Sequence, residues 1–513
     1  MLSRFRSILF LEPLIEGDID GREAPEFFGD LNLDQIVASV TAGRDEYNLK
    51  PFFYAPLRSV EAICYRHEVM RDLENEALLG HVRTFSRKLR TMRESLAQAD
   101  KLYYERQKQR WFLDAVDIYC DAVRCLMQDL QSAYPRSRGF RGLREYLETY
   151  TASGDFATLV SDTQKLKADL AGVLYTLHID GARIRVSRYD SESDYGAEVL
   201  QTFEKFKQGV PREYRFDFRE SLNMNHVEAA VLDRVAKLYP DVFLELERYC
   251  DRHRYYLDDT IRSFDREVQF YVAWLEHGAR LKRAGLSFCY PVVADRSKAV
   301  HCRESFDLAL ADRLVRENVS VVTNDFHLED PERVFIVSGP NQGGKTTFAR
   351  TFGQLHYLAN LGCSVPGRQA RLFLFDSLFT HFDREEDIGN LSGKLEDDLR
   401  RIRAILARAT PRSILIMNES FSSTTLNDAL FLSKRVLQQI VQRDMLCVYV
   451  TFLDELASFS KSAVSMVSTV DARDPALRTF KIVRRPADGL AYAAALAQKY
   501  RLSYLSVKER VAS

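Results

Sequence analysis

Hydrophobic and polar positions divide the chain into two textures. From Asn32 to about Tyr150 apolar residues recur three or four apart with charges between them, as in EAICYRHEVMRDLENEALLGHVRTF, which predicts sustained helices packed as a bundle. The pattern resumes from about Asn223 to Ala284, with a break predicted at Pro240, which has no N–H to give a helix interior. Between these stretches LYTLHIDGARIRVSRY (174–189) alternates about Asp180-Gly181 and predicts a β-hairpin. YPRSRGFRGLREY (134–146) carries Pro135, Gly139 and Gly142 among four arginines and predicts a basic loop leading into the next helix. Phe264, Phe270, Tyr271 and Trp274 fall at helical spacing and read as core rather than as a base-stacking surface.

After Gly285 the texture changes. Short β-rich runs (SFCYPVV, VSVVT, RVFIVS, RLFLFD, SILIMN and LCVYVTF) alternate with helical stretches, the pattern of a sheet covered on both faces. The predicted fold is therefore α plus α/β: a mainly helical region over 1–285 with one hairpin, followed by an α/β domain over 286–513. No internal repeat or low-complexity tract points to a solenoid or coiled coil.

Composition narrows the classes. A chain of 513 residues that is 46% hydrophobic can bury more than one core. Lys plus Arg (72) and Asp plus Glu (73) nearly cancel, so any site for a polyanion must be local. The eight cysteines are scattered without a CxxC pair or metal-ligand spacing to His, as expected of buried thiols in a reducing compartment. MLSRFRSILFLEPLIEGDID has acidic residues after its short apolar run and no small-residue cleavage site, and no apolar run reaches the roughly 20 residues of a membrane span. These features predict a cytoplasmic protein with no membrane partner, nucleoid-associated if the source is bacterial.

The chemistry concentrates in two motifs. VFIVS runs into Gly339, Pro340, Asn341, Gln342, Gly343, Gly344, Lys345, Thr346 and Thr347, which is GxxxxGK[ST] between a strand and a helix. Backbone N–H groups at such a helix start can close on phosphate, Lys345 supplies charge to the β/γ-oxygens, and the Thr346 hydroxyl can ligate Mg²⁺. The second motif, SILIMNES, is an apolar strand ending in Asn418-Glu419. Strands of this kind normally end in two carboxylates, one fixing the water shell of Mg²⁺ and one orienting the attacking water. Asn418 can present an oxygen to a metal-bound water but brings no charge, so binding is expected to survive while turnover slows.

Weaker candidates stand beside these. Asp387, Glu396, Asp397 and Asp398 form an acidic cluster that reads as a solvated helix face. In KLYYERQKQRWFLDAV (101–116) Tyr103, Tyr104 and Trp111 lie among Lys101, Arg106, Lys108 and Arg110; these could meet nucleic acid, but the spacing favours an amphipathic helix with basic edges. No GxSxG turn, HExxH helix or Cys/His pairing supports a hydrolase or metalloenzyme.

The GPNQGGKTT loop resembles the GPNMGGKST loop of the MutS family of DNA mismatch-repair ATPases, which belong to the ABC class of head-to-tail dimeric ATPases. Further elements recur in that family's order: VVTNDFHL, LGCSVPGRQARLFLFDSLFTHF, ARATPRSILIMNESFSSTTLNDA and VTFLDELASF. The likeness is specific from about 320 to 460, and upstream it is a helical region like the family's lever and core helices. It implies an ABC-type P-loop ATPase domain that binds ATP and Mg²⁺ through Gly339, Asn341, Gly344, Lys345 and Thr346, with Glu419 as the catalytic carboxylate. It also implies a homodimer through the ATPase domain and DNA as a partner. Ser392-Gly393 falls where the family places the segment reaching across the dimer, although a Gly helix cap fits the same residues.

Three departures qualify these expectations. Asn418 replaces the family's Asp, and Phe452 replaces the His that senses the γ-phosphate. Only a short segment precedes the helical texture, which implies a chain without the family's mismatch-reading N-terminal domain or its connector. The expected function is a DNA-associated ATPase switch in repair or recombination, with slow hydrolysis. An ATP-gated protein-interaction switch with little hydrolysis is the alternative, and a small-molecule P-loop kinase lacks a recognisable acceptor site.

Overall fold

The computed structural model describes residues 5–12, 19–191, 202, 224–383, 393–471, 473, 474 and 477–487, which gather into two compact units, each drawn from separated stretches of chain. Among these residues no helix is long and apolar enough to cross a membrane.

One unit collects described residues of 76–135 and 141–265 with Phe5, and it is mainly helical. Helices Glu76–Ala99 and Glu105–Ala133 pack against each other. Leu78, Val82, Phe85, Leu89 and Met92 of the first, and Leu113, Val116, Cys120, Val123, Leu126 and Leu130 of the second, are buried at spacings of three and four, the single apolar stripe that the sequence pattern predicts. Asn225 and Glu228 form a capping box at the start of helix His226–Leu238, and Pro240 opens helix Pro240–Arg252 at a position where its missing N–H costs nothing. The hairpin forms from β1 (Tyr175–Asp180) and β2 (Arg183–Arg188). Its two-residue turn is Gly181-Ala182, one residue beyond the expected pair, with Gly181 at φ 56° in the first central position. The basic edge of 101–116 is largely engaged within the unit: Arg106 pairs with Asp233 at 3.1 Å, Lys108 with Glu105 at 3.7 Å and Arg110 with Asp114 at 3.0 Å.

The other unit collects described residues of 6–75, 136–140 and 266–487. Its strands are β3 (Phe288–Cys289), β4 (Val292–Ala294), β5 (Val300–Ser305), β6 (Asn324–Leu328), β7 (Val334–Ser338), β8 (Val365–Pro366), β9 (Gln369–Phe373), β10 (Leu378–Phe382), β11 (Ile414–Asn418), β12 (Leu446–Val450), β13 (Ala463–Val470) and β14 (Arg478–Arg484). A six-stranded sheet runs β10-β11-β12-β7-β13-β14, parallel except for β14, and a four-stranded sheet runs β4-β9-β5-β6. β7 and β12 are buried along their whole length and β11 up to Asn418, which is why these strands read as continuous apolar runs. Helix Lys345–Asn360 packs across β11 and β12. Leu437 and Ile440 of helix Leu426–Gln442 join Ile336, Leu415, Met417 and Tyr449 in one core cluster.

Two local expectations are corrected here. VSVVT is not a strand: Val319 is half exposed, and pairing begins at Asn324, opposite Ser305, because only from there does β5 supply hydrogen-bond partners. The basic stretch 134–146 is a loop only to Ser137, and a helix runs over Arg138–Thr151. Gly139 serves close packing rather than a turn, since a Cβ there would sit 2.7 Å from Val69 Cγ2 and 2.8 Å from Ile8 Cδ1. Arg138 pairs with Glu61 at 3.2 Å and Glu68 at 2.9 Å.

Half-buried Glu267 ties the segment at Ser7 to this unit, accepting from Ser7 Oγ at 2.8 Å and from the Ile8 N–H at 2.9 Å. Burial, partly offset by those bonds, pushes its carboxyl up to about 7 from 4.5. Because the folded value lies above the unfolded one, the folded state binds the extra proton. This contribution is fully present below about pH 4.5 and is lost as pH rises towards 7. Glu267→Gln is therefore expected to melt with a flatter pH dependence than the unsubstituted chain across that window, by an amount on the order of ~1.4 kcal/mol per pH unit at most. Parallel melting-temperature profiles from pH 4.5 to 7 would refute this account.

Candidate nucleotide site

β7 delivers the chain into the phosphate loop at Gly339, and helix Lys345–Asn360 leaves it, with Gly344 as N-cap at φ 92°. Gly339 (φ 117°), Gly344 and the non-glycine Gln342 (φ 59°) adopt left-handed backbone. For a residue with a Cβ that conformation costs roughly 1–2 kcal/mol. The glycines also permit close approach: a Cβ on Gly343 would lie 2.2 Å from Ser468 Oγ and 2.9 Å from the Pro340 carbonyl oxygen. Ser468, buried on β13, donates to the Gly343 carbonyl at 2.6 Å and so ties the loop to the strand beside β7. No motif announced this residue.

Lys345 is buried and folds back over the loop. Its Nζ donates to the carbonyls of Gly339 at 3.0 Å and Pro340 at 3.1 Å, and to Asn341 Oδ1 at 3.3 Å. Burial lowers its pKa; Glu419 favours the charged form, Arg478 opposes it, and Asp454 favours it again. Arg478, on β14, donates from Nε to the Asn341 carbonyl at 3.2 Å, adding a second cation beside the loop that sequence reasoning missed. Asn324 locks the same region: its Nδ2 donates to the Phe480 carbonyl at 3.1 Å and its Oδ1 accepts from the Ile482 N–H at 2.7 Å.

The two sequence motifs meet. β11 is not the neighbour of β7, because β12 lies between them, yet the Thr346 hydroxyl donates to Asn418 Oδ1 at 2.9 Å. The contact arises because helix Lys345–Asn360 crosses β11 and β12 and brings its first turn over the end of β11. Glu419 follows directly, partly exposed, at φ 52°, with its N–H bonded to the Val450 carbonyl at 2.9 Å. Thr346 and Asn418 thus present neighbouring oxygens of the class that Mg²⁺ takes, without a carboxylate in the pair. Phe452, two residues beyond β12, is 54% exposed. Thr347 lies in the first turn of the helix, and its carbonyl accepts from Thr351 Oγ1 at 2.8 Å.

The weaker candidates are dispersed. Gly393 occupies the N-cap of helix Lys394–Arg408, in extended backbone, and Ser392 lies outside the described residues, as does Asp387. Glu396 pairs with Arg400 at 2.6 Å, while Asp398 turns inward and is buried. Among the described residues no group of three or more His, Cys, Asp or Glu side chains is placed to hold a metal ion.

Comparison with known proteins agrees with this geometry. A family model described as MutS domain V matches residues 335–497. DNA mismatch repair protein MutS of Fervidobacterium nodosum is 24% identical over 251 residues, which are 48% of this chain and 29% of that protein. The protein of that name from Thermotoga neapolitana is 23% identical over 268 residues, 52% of this chain and 32% of its own. That of Rickettsia bellii is 30% identical over 159 residues, 30% of this chain and 18% of its own. The chain thus spans about a third or less of the length of these curated relatives. Over residues 335–497, in its C-terminal region, this chain is similar to domain V of the MutS family.

Proposed function

We propose that this chain is a MutS-like, DNA-associated ATPase that uses ATP binding and slow hydrolysis to switch a dimeric clamp on DNA. The observation that carries the reading is the 2.9 Å contact between Thr346 and Asn418, which joins the first turn after the glycine-rich loop to the end of β11, where Glu419 follows. Gly339 to Gly344 would cradle the phosphates with backbone N–H groups, and Lys345 would exchange its three loop oxygens for phosphate oxygens. Glu419 would orient the attacking water. Thr346, with Asn418 through a water, would hold Mg²⁺, which when bound neutralises charge on the β/γ-oxygens. DNA as partner, repair as process and the homodimer follow from the relatives' names and the family likeness. The basic edge of 101–116 adds little, since Arg106, Lys108 and Arg110 are already paired.

A second reading, an ATP-gated protein-interaction switch with little hydrolysis, draws on Asn418 and the exposed Phe452 at the two places where the family likeness puts a carboxylate and a sensor. ATP turnover by the purified chain with Mg²⁺, with and without duplex or branched DNA and beside Asn418→Asp, separates the two. The first reading expects slow, DNA-altered turnover that the Asp raises about tenfold, ~1.4 kcal/mol of barrier. Tight ATP binding without turnover, and no salt-sensitive DNA binding, would leave the second.

A further inference from the structure

Resting on the ATPase reading, we propose that His381 and Asp398 are positioning residues that hold the corner Glu419-Ser420-Phe421 in the shape hydrolysis requires. The chain passes through left-handed backbone twice there, at Glu419 (φ 52°) and Phe421 (φ 62°), with Ser420 buried between them. No glycine eases the bend, so it persists only where surrounding structure holds it.

The supports come from three elements. His381, on β10, places Nδ1 2.8 Å from Ser420 Oγ. Asp398, on helix Lys394–Arg408, accepts from the Phe421 N–H. Tyr449, on β12, donates to the Ser420 carbonyl at 3.4 Å and is itself held by Ser433 Oγ at 2.8 Å. His381 and Asp398 join these supports, with Nε2 3.4 Å from Oδ1 and side chains only 0% and 5% exposed. Arg401 fixes the helix against β10, donating to the Phe382 carbonyl at 3.2 Å and lying 3.9 Å from Asp398 Oδ1.

Ser, His and Asp in a row suggest a nucleophile, but all three are buried, which closes the group to substrate. Apolar side chains of equal volume would stabilise this place as well or better. What the polar set adds is direction, because hydrogen bonds fix the rotation of the corner, and the residue so oriented is Glu419. The same set couples Glu419 to the helix that Gly393 opens.

The test is steady-state ATP turnover and direct ATP binding by His381→Leu, His381→Asn and Ser420→Ala, beside the unsubstituted chain and Glu419→Gln. His381→Leu and Ser420→Ala are expected to lower kcat ~10-fold or more while Kd and KM for ATP stay within about threefold. His381→Asn, which keeps an amide facing Ser420, is expected to recover most of the loss. Variants that retain kcat while Glu419→Gln has lost it overturn the positioning role alone. So does a loss shared by kcat, KM and Kd, or failure of His381→Asn to recover. Absence of turnover in the unsubstituted chain overturns both the role and the ATPase reading. Should His381→Leu fail to fold, Ser420→Ala, which removes one hydroxyl, decides the matter.

Discussion

Glu419→Gln is expected to lower ATP turnover by ~100-fold or more, while ATP affinity stays within about threefold. The substitution keeps volume and an acceptor oxygen but removes the charge that would orient and activate water, so the loss should fall on the chemical step. The geometry sharpens this expectation. Asn418 places a neutral oxygen where a second carboxylate is usual, so the acid–base work of the β11 end rests on Glu419. Glu419 also favours the charged form of Lys345, so its neutralisation should weaken the ammonium slightly, which sets the small change allowed in affinity. Equal turnover by both proteins would show that Glu419 is not the base and would remove the enzymatic reading of the strand.

Lys345→Met should act on binding instead. Its Nζ lies 3.0–3.3 Å from three oxygens of the loop, an arrangement that phosphate oxygens can take over. Charge-assisted bonds contribute about 1.5–3 kcal/mol each, so loss of two is expected to weaken ATP by ~100-fold or more. Met keeps the buried stem filled, which limits the structural cost. Equilibrium titration with a fluorescent ATP analogue measures the effect, and a Kd within about threefold of the unsubstituted chain would mean that the loop is not the nucleotide site. Together the two variants separate binding from chemistry, which matters because Asn418 and Phe452 both stand where hydrolysis, rather than binding, should suffer.

Much of this protein is determined within short windows of sequence. Helical periodicity located the buried stripes of Glu76–Ala99 and Glu105–Ala133, because burial on one face imposes spacings of three and four. Continuous apolar runs located β7, β11 and β12, because a strand covered on both faces has no polar side to alternate with. The phosphate loop was legible because left-handed backbone and close approach at Gly339, Gly343 and Gly344 demand glycine within a few residues of one another.

Tertiary structure decided the rest. β5, β10, β13 and β14 form only when a neighbouring strand supplies their ladders, and VSVVT, with good strand propensity, remains unpaired because no ladder reaches it. Gly139 looked like a loop residue and proved to be a helix contact, since glycine answers to neighbours as well as to its own φ. Thr346 and Asn418, 72 residues apart, meet because a helix crosses two strands. Ser468, Arg478, His381 and Asp398 reach the loop or the Glu419 corner from four different elements; the first three are unremarked in sequence, and Asp398 reads there as part of a solvated face, because a hydrogen bond between distant segments leaves no local periodicity to read.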